Sequence, residues 1–111
     1  MADFKIAFGI TNKNEGGYVN DPADYGGETY CGISRHNFPK WLGWLIVDEH
    51  KPLRREQIIN DEGLEVLVEE FYKSNFWNPI NGDNIPNQDL ANQVYDMAVN
   101  SGVHQALKLL T

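Results

Sequence analysis

The sequence has only one cysteine in 111 residues, Cys31. No internal disulfide can form, so packing must hold the fold, and the chain is compatible with a reducing compartment. A nucleophilic thiol needs a histidine in a recognisable context; His36, His50 and His104 stand in none, which marks Cys31 as a structural thiol. Basic residues are also scarce, nine against sixteen acidic, for a net charge of −7. That balance excludes nucleic acid and anionic membrane surfaces as partners, since both need clustered Lys and Arg. Long apolar runs are missing, and Met1-Ala2-Asp3-Phe4 lacks the basic start and apolar stretch of a secretory signal. Neither membrane insertion nor a leader is therefore expected. Nor is there a His or Cys cluster at ligand spacing, or a phosphate-binding glycine motif before a helix, so no metal or organic cofactor is expected.

What is present is an ordinary globular composition, 41% hydrophobic and 12% aromatic. At this length it predicts one domain over residues 1–111, built on a single core and monomeric. Phe4, Ala7, Phe8 and Thr11 recur at helical spacing and place Glu15 at the end of the same face. Gly16-Gly17 is expected to stop that helix by supplying left-handed or extended backbone. Five glycines and Pro22 between Gly16 and Gly32 predict a long loop or small β-hairpin, ordered by Tyr18, Val19, Tyr25, Tyr30 and Ile33.

Ser34 is a candidate cap for a short helix ended by Pro39, and Trp41–Val47 is apolar enough to be buried as helix or strand. A short helix is predicted over Leu53–Ile59, and a strongly amphipathic one from Leu64 through Phe71 and Tyr72 to about Asn75. The turn-rich Asn78–Asp83 precedes a helix capped by Asn87, with Leu90, Val94, Met97 and Ala98 as its buried stripe. Gly102 breaks it, and Val103, Leu107 and Leu110 begin another. The fold class is mainly α, with a glycine-rich loop or small β-hairpin over Tyr18–Ile33.

Glu15 is the leading chemical candidate. An acid at the junction of an apolar helix face and a glycine-rich loop is partly desolvated, which keeps its proton available near neutral pH. Asp21, Asp24 and Glu28 follow, and glycoside hydrolysis commonly uses two carboxyl groups flanking the scissile bond; Asp24 is the natural second member. Thr29 offers a hydroxyl suited to holding a water. The alternatives are a solvated helix end for Glu15, an Asx turn at Asp21-Pro22 and a β-branched hairpin residue for Thr29. Tyr18, Tyr25, Tyr30 and Trp77 can stack on sugar rings or fill the core. Asp96 and Asn100, four apart on one helix face, can reach a glycan or form a structural hydrogen-bond network.

The run Glu15-Gly16-Gly17-Tyr18-Val19-Asn20-Asp21-Pro22, then Asp24, Gly26-Gly27, Thr29 and Gly32-Ile33-Ser34, resembles the signature of glycoside hydrolase family 108. Two further blocks, Phe76-Trp77 and Asp96-Met97-Ala98-Val99-Asn100-Ser101-Gly102, extend the likeness over most of residues 4–111. The resemblance implies a lysozyme-like fold and an N-acetylmuramidase, as in phage or prophage endolysins and proteins labelled secretion activators. It assigns the catalytic acid to Glu15 and makes Asp24 and Thr29 similar to the aspartate and threonine of phage-type lysozymes, although their spacing is one residue shorter here. The implied partner is the peptidoglycan glycan strand, and the expected binding residues are Tyr18, Tyr30, Trp77, Asp96 and Asn100.

The resemblance also implies a chain made in the cytoplasm and reaching the wall through a holin pore or a secretion system. Family members commonly continue into a C-terminal peptidoglycan-binding segment, which is not in this sequence. Because bacterial walls are anionic, the acidity of the chain requires the glycan to be held by uncharged hydrogen bonds and stacking. Two other readings stay open: a non-catalytic wall-binding or secretion-assisting protein of the same shape, and a lytic transglycosylase.

Overall fold

A computed structural model describes residues 1–13, 16–21 and 27–110. Its contacts divide into two units, one of residues 1–13 and 69–111 and one of residues 14–68.

The first unit is helical. Helix α1 (Phe4–Thr11) starts at Asp3, whose carboxylate accepts the Lys5 N–H at 2.9 Å, satisfying a first-turn donor. It buries Phe4 and Ala7 and ends at Asn12, in ordinary right-handed backbone, so the stop comes before the expected glycine pair. Helix α4 (Gln88–Ser101) is capped by the Asn87 side chain on Leu90 N–H at 3.0 Å and ends at Gly102, whose φ of 94° favours glycine. Both caps are where the sequence places them. The buried stripe is Ala91, Val94, Tyr95 and Ala98, so Leu90 turns outward and small alanines let α4 pack closely. Helix α5 (Val103–Leu107) follows.

Earlier in the sequence than α4, helix α3 (Glu62–Tyr72) begins at Asp61, which accepts Leu64 N–H at 2.9 Å, and carries Glu62 and Glu65 near its positive end. It does not stop near Asn75 but widens into a π turn over Lys73–Trp77, closed by Asn78 N–H on the Lys73 carbonyl at 2.8 Å. The Asn75 side-chain amide takes the Phe71 carbonyl at 2.8 Å, competing with the backbone for that acceptor. The turn delivers Trp77 to the core, where Phe4, Trp77 and Tyr95 meet edge-on with centroids 5.6 to 5.9 Å apart. The Trp77 indole N–H donates to Asp83 at 2.9 Å.

The second unit holds a three-stranded antiparallel sheet, β1 (Tyr18–Asn20), β2 (Glu28–Tyr30) and β3 (Ile33–Ser34), in that order. Tyr18 faces Tyr30, Val19 faces Thr29, and Thr29 faces Ser34. Cys31 sits half-buried in the β2–β3 turn at φ 49°. Ser34 belongs to β3 and accepts Asn37 N–H at 3.3 Å, capping a turn and not a helix. Helix α2 (Gly43–Glu49) takes up the apolar stretch from Gly43 to Val47, leaving Trp41 and Leu42 ahead of it, and buries Trp44 and Val47. Leu53–Ile59 is not helical. Its backbone serves the sheet: Gln57 bridges Tyr18, Ile59 N–H donates to the Tyr30 hydroxyl at 3.0 Å, and Glu56 takes φ 64°. The predicted class, mainly α with a small β element, is the observed one.

Candidate functional site

Glu15 and Asp24, the two expected catalytic carboxylates, lie outside the described residues, as does Tyr25. What the structure describes is the chain that flanks them in sequence, each unit by itself. In the helical unit, the segment leading to Glu15 leaves α1 at a doubly tethered end. Thr11 Oγ1 donates to Asp96 Oδ1 at 3.1 Å, and the buried Tyr95 hydroxyl donates to Asn12 Oδ1 at 2.6 Å. Asn100 Nδ2 reaches the Asp96 carbonyl at 2.9 Å and its carboxylate at 3.2 Å. Asp96 and Asn100 thus share one face of α4 and act first as a brace on the end of α1. Asn12 Nδ2 is buried with no hydrogen-bond partner among the described residues.

In the sheet unit, Thr29 occupies the central strand, half-buried between Val19 and Ser34. Glu28 and Tyr30, its neighbours on β2, share the opposite face with Tyr18. There Glu28 is the hub of a charge network. Its carboxylate accepts from Tyr18 Oη at 2.7 Å, Lys51 Nζ at 2.6 Å and Arg35 Nη1 at 3.1 Å. Asp48 completes the set, bidentate to Arg35 at 2.7 and 2.9 Å and 2.9 Å from Lys51. Two cations balance two anions, and Arg35 also lies 5.1 Å over the Trp44 ring.

Burial pushes the Glu28 carboxyl up, but hydrogen bonds from Lys51, Tyr18 and Arg35 outweigh it and hold its pKa below the ordinary glutamate value. Hydrogen bonds from Arg35 and then Lys51 hold Asp48 far below the usual carboxylate range. The hydrogen bond to Glu28 raises Lys51, while burial followed by the Glu28 contact raises Tyr18. Glu28 is therefore a fixed anion at neutral pH and not a proton donor. Arg35, Asp48 and Lys51 carry little linear signal because the network joins residues 7 to 23 positions from Glu28; the local signal is Lys51 three positions after Asp48, which lies near the end of α2.

The structure packs three of the residues expected to bind sugar. Trp77 is 0% exposed, and a Cβ on Gly82 would fall against its indole, so both sides of the ring are packed. Tyr30 is 3% exposed with its hydroxyl on the Ile59 N–H. Tyr18 is 6% exposed with its hydroxyl on Glu28; it borders solvent only as part of a cleft. That cleft, about 590 Å³, is lined by Tyr18, Asn20, Lys51, Pro52, Leu53 and Arg55. Among the described residues no group of three or more His, Cys, Asp or Glu is placed to hold a metal ion, and no helix is long and apolar enough to cross a membrane.

Residues 8–102 match the family described as Glycosyl hydrolase 108. Among solved structures the chain is similar to the structure of Brucella abortus SagA, at 26% identity and a TM-score of 0.58. The match covers 95% of this chain and 55% of SagA, so the chain spans about half the length of that protein. No curated protein matches the chain. The matched segment runs from α1 through the sheet to Gly102 and contains the Glu15–Ser34 and Asp96–Gly102 blocks; the chain belongs to glycosyl hydrolase family 108.

Proposed function

We propose that this chain is a muramidase that hydrolyses the β-1,4 bond between N-acetylmuramic acid and N-acetylglucosamine in peptidoglycan. The family match over residues 8–102 carries the reading, since that segment includes Glu15, Asp24 and Thr29 in order. Glu15 protonates the leaving oxygen as general acid. Asp24 stabilises the positive charge developing on the sugar or, with Thr29, places the attacking water. Glu28 is supported in a different part, since a carboxylate held ionised by two cations suits charge anchoring better than proton transfer. Asp96 and Asn100 serve by fixing the end of α1, from which the Glu15 segment departs. The chain meets the wall after release through a membrane pore or a secretion system.

Zymography on purified peptidoglycan with wild type and Glu15→Gln tests the reading. Loss of a positioned general acid lowers the rate by about 10²–10⁴. Equal clearing by the two proteins overturns the assignment. Product masses separate the chemistry, because a lytic transglycosylase leaves an anhydro end lighter by one water. Binding to sacculi by both proteins without release of reducing ends would replace the enzyme by a wall-binding protein.

A further inference from the structure

Strand β1 is the outer strand of its sheet, and its backbone groups alternate in direction. The Gly17 carbonyl accepts from Cys31 N–H at 3.2 Å, facing inward along the sheet. Tyr18 turns outward, donating its N–H to Gln57 O at 2.9 Å and accepting from Glu56 N–H at 2.6 Å. Alternation turns Val19 back toward Thr29 and leaves the Asn20 N–H and C=O facing out. Neither group has a backbone partner among the described residues. An edge residue whose outward donor and acceptor both lack a backbone partner among the described residues is the template for adding an extended peptide.

The cleft beside this edge supplies the rest of a peptide site. Arg55 is exposed and makes no ion pair among the described residues, so its fork of donors is available. Lys51 spends two of its three N–H donors on Glu28 and Asp48 and keeps a fixed positive charge at the wall. Pro52 and Leu53 give the same wall an apolar stretch. An inorganic anion would use Arg55 but be repelled by the outward carbonyl of Asn20 and leave the apolar stretch uncovered. A peptide carrying a carboxylate satisfies all three.

We propose that this cleft binds a short extended peptide with a free carboxylate, its backbone amide pairing with Asn20 and its carboxylate with Arg55. Resting on the muramidase reading, the occupant is the peptide substituent of the glycan strand, and the enzyme reads substituted glycan through this edge. The site lies on the sheet unit alone and needs no sugar to be tested.

The test is a ¹⁵N NMR titration of the full chain with acetyl-Ala-Ala, with its C-terminal amide, and with inorganic phosphate. Acetyl-Ala-Ala is expected to shift the backbone amides of Asn20 and Arg55 saturably with Kd of about 1 mM. The amide should bind at least about fivefold more weakly, and Arg55→Ala should bring the acid to the level of the amide. Asn20→Pro, which removes the outward donor from an edge position, should weaken both forms. Equal binding of acid and amide, no effect of Arg55→Ala, equal shifts by phosphate, or no shifts at the cleft each overturn the inference. Glycan clearing by a wild type that binds no peptide defeats this inference alone, whereas peptide binding without clearing defeats only the muramidase reading.

Discussion

Replacing Gly17 by alanine tests why the second glycine of the Glu15-Gly16-Gly17 run is there. Its φ is not in the left-handed region, so freedom to turn is not the reason. A Cβ at Gly17 would lie 2.6 Å from the Gln57 carbonyl carbon and 2.8 Å from Glu56 O, and closer still to Gln57 O, all of them backbone. No rotamer change can relieve backbone, so β1 and the 56–57 segment must separate. Separation breaks Tyr18 N–H to Gln57 O and Glu56 N–H to Tyr18 O, each worth about 1 kcal/mol. Residual crowding adds roughly 1 kcal/mol at the low end of overpacking costs. The expected loss is about 3 kcal/mol, or about 12 °C in Tm at about 4 °C per kcal/mol. Urea and thermal unfolding followed by circular dichroism measure it, with Gly16→Ala as a companion, since a Cβ there meets nothing within 4 Å. A Gly17→Ala chain within about 0.5 kcal/mol of wild type would refute the close-approach argument.

Two other substitutions probe the charge network and the aromatic core. Glu28→Gln should cost about 1 kcal/mol at pH 7, a modest figure because Arg35 and Lys51 are a third exposed and screened. Since folding lowers the Glu28 pKa, that contribution is complete above the ordinary glutamate value near 4.3 and fades as pH falls through the lowered one. Lys51 is raised, so its share persists below about pH 10.4 and is lost above it. Denaturation from pH 3 to 8 should therefore show wild type and Glu28→Gln diverging with rising pH and then running parallel; a constant gap down to about pH 3 would contradict the network's role. Asp83→Ala strands the buried Trp77 indole N–H and should cost about 1–3 kcal/mol by denaturant unfolding, with no change on that substitution showing that the indole finds another acceptor.

The parts of the fold legible in the sequence are those set by local chemistry. Asn87 and Gly102 delimit α4 because a side-chain cap and a left-handed stop act within a few residues. The helix expected over Leu53–Ile59 does not form because its backbone groups are claimed by Tyr30, 29 residues away, and by Tyr18, 38 and 39 residues away, and nonlocal pairing overrides a short apolar pattern. The strands are two or three residues long, too short to show an alternation. Sequence leaves stacking and core both open for Trp77 and Tyr30, because either ring suits either place; the structure buries both rings and gives their polar atoms partners in Asp83 and the Ile59 N–H. Of the site, the family blocks are readable as a run of residues, whereas the Glu28 network joins β1, β2, the turn after β3, α2 and Lys51 beyond it, and has no linear pattern.

The π turn at Lys73–Trp77 has a consequence for how this chain should be compared with its relatives. A helix that closes one turn with an i to i+5 bond carries one residue more than a plain α-helix of the same register. Each residue advances the helix by about 100°, so without the extra one every later side chain would point about 100° away, and Trp77 would leave the core. Relatives that keep an unbroken α-helix here should show a one-residue gap within this five-residue window. The gap is the mark of a phase correction, and an alignment that slides it elsewhere will mispair Trp77 while leaving the flanking helices apparently intact.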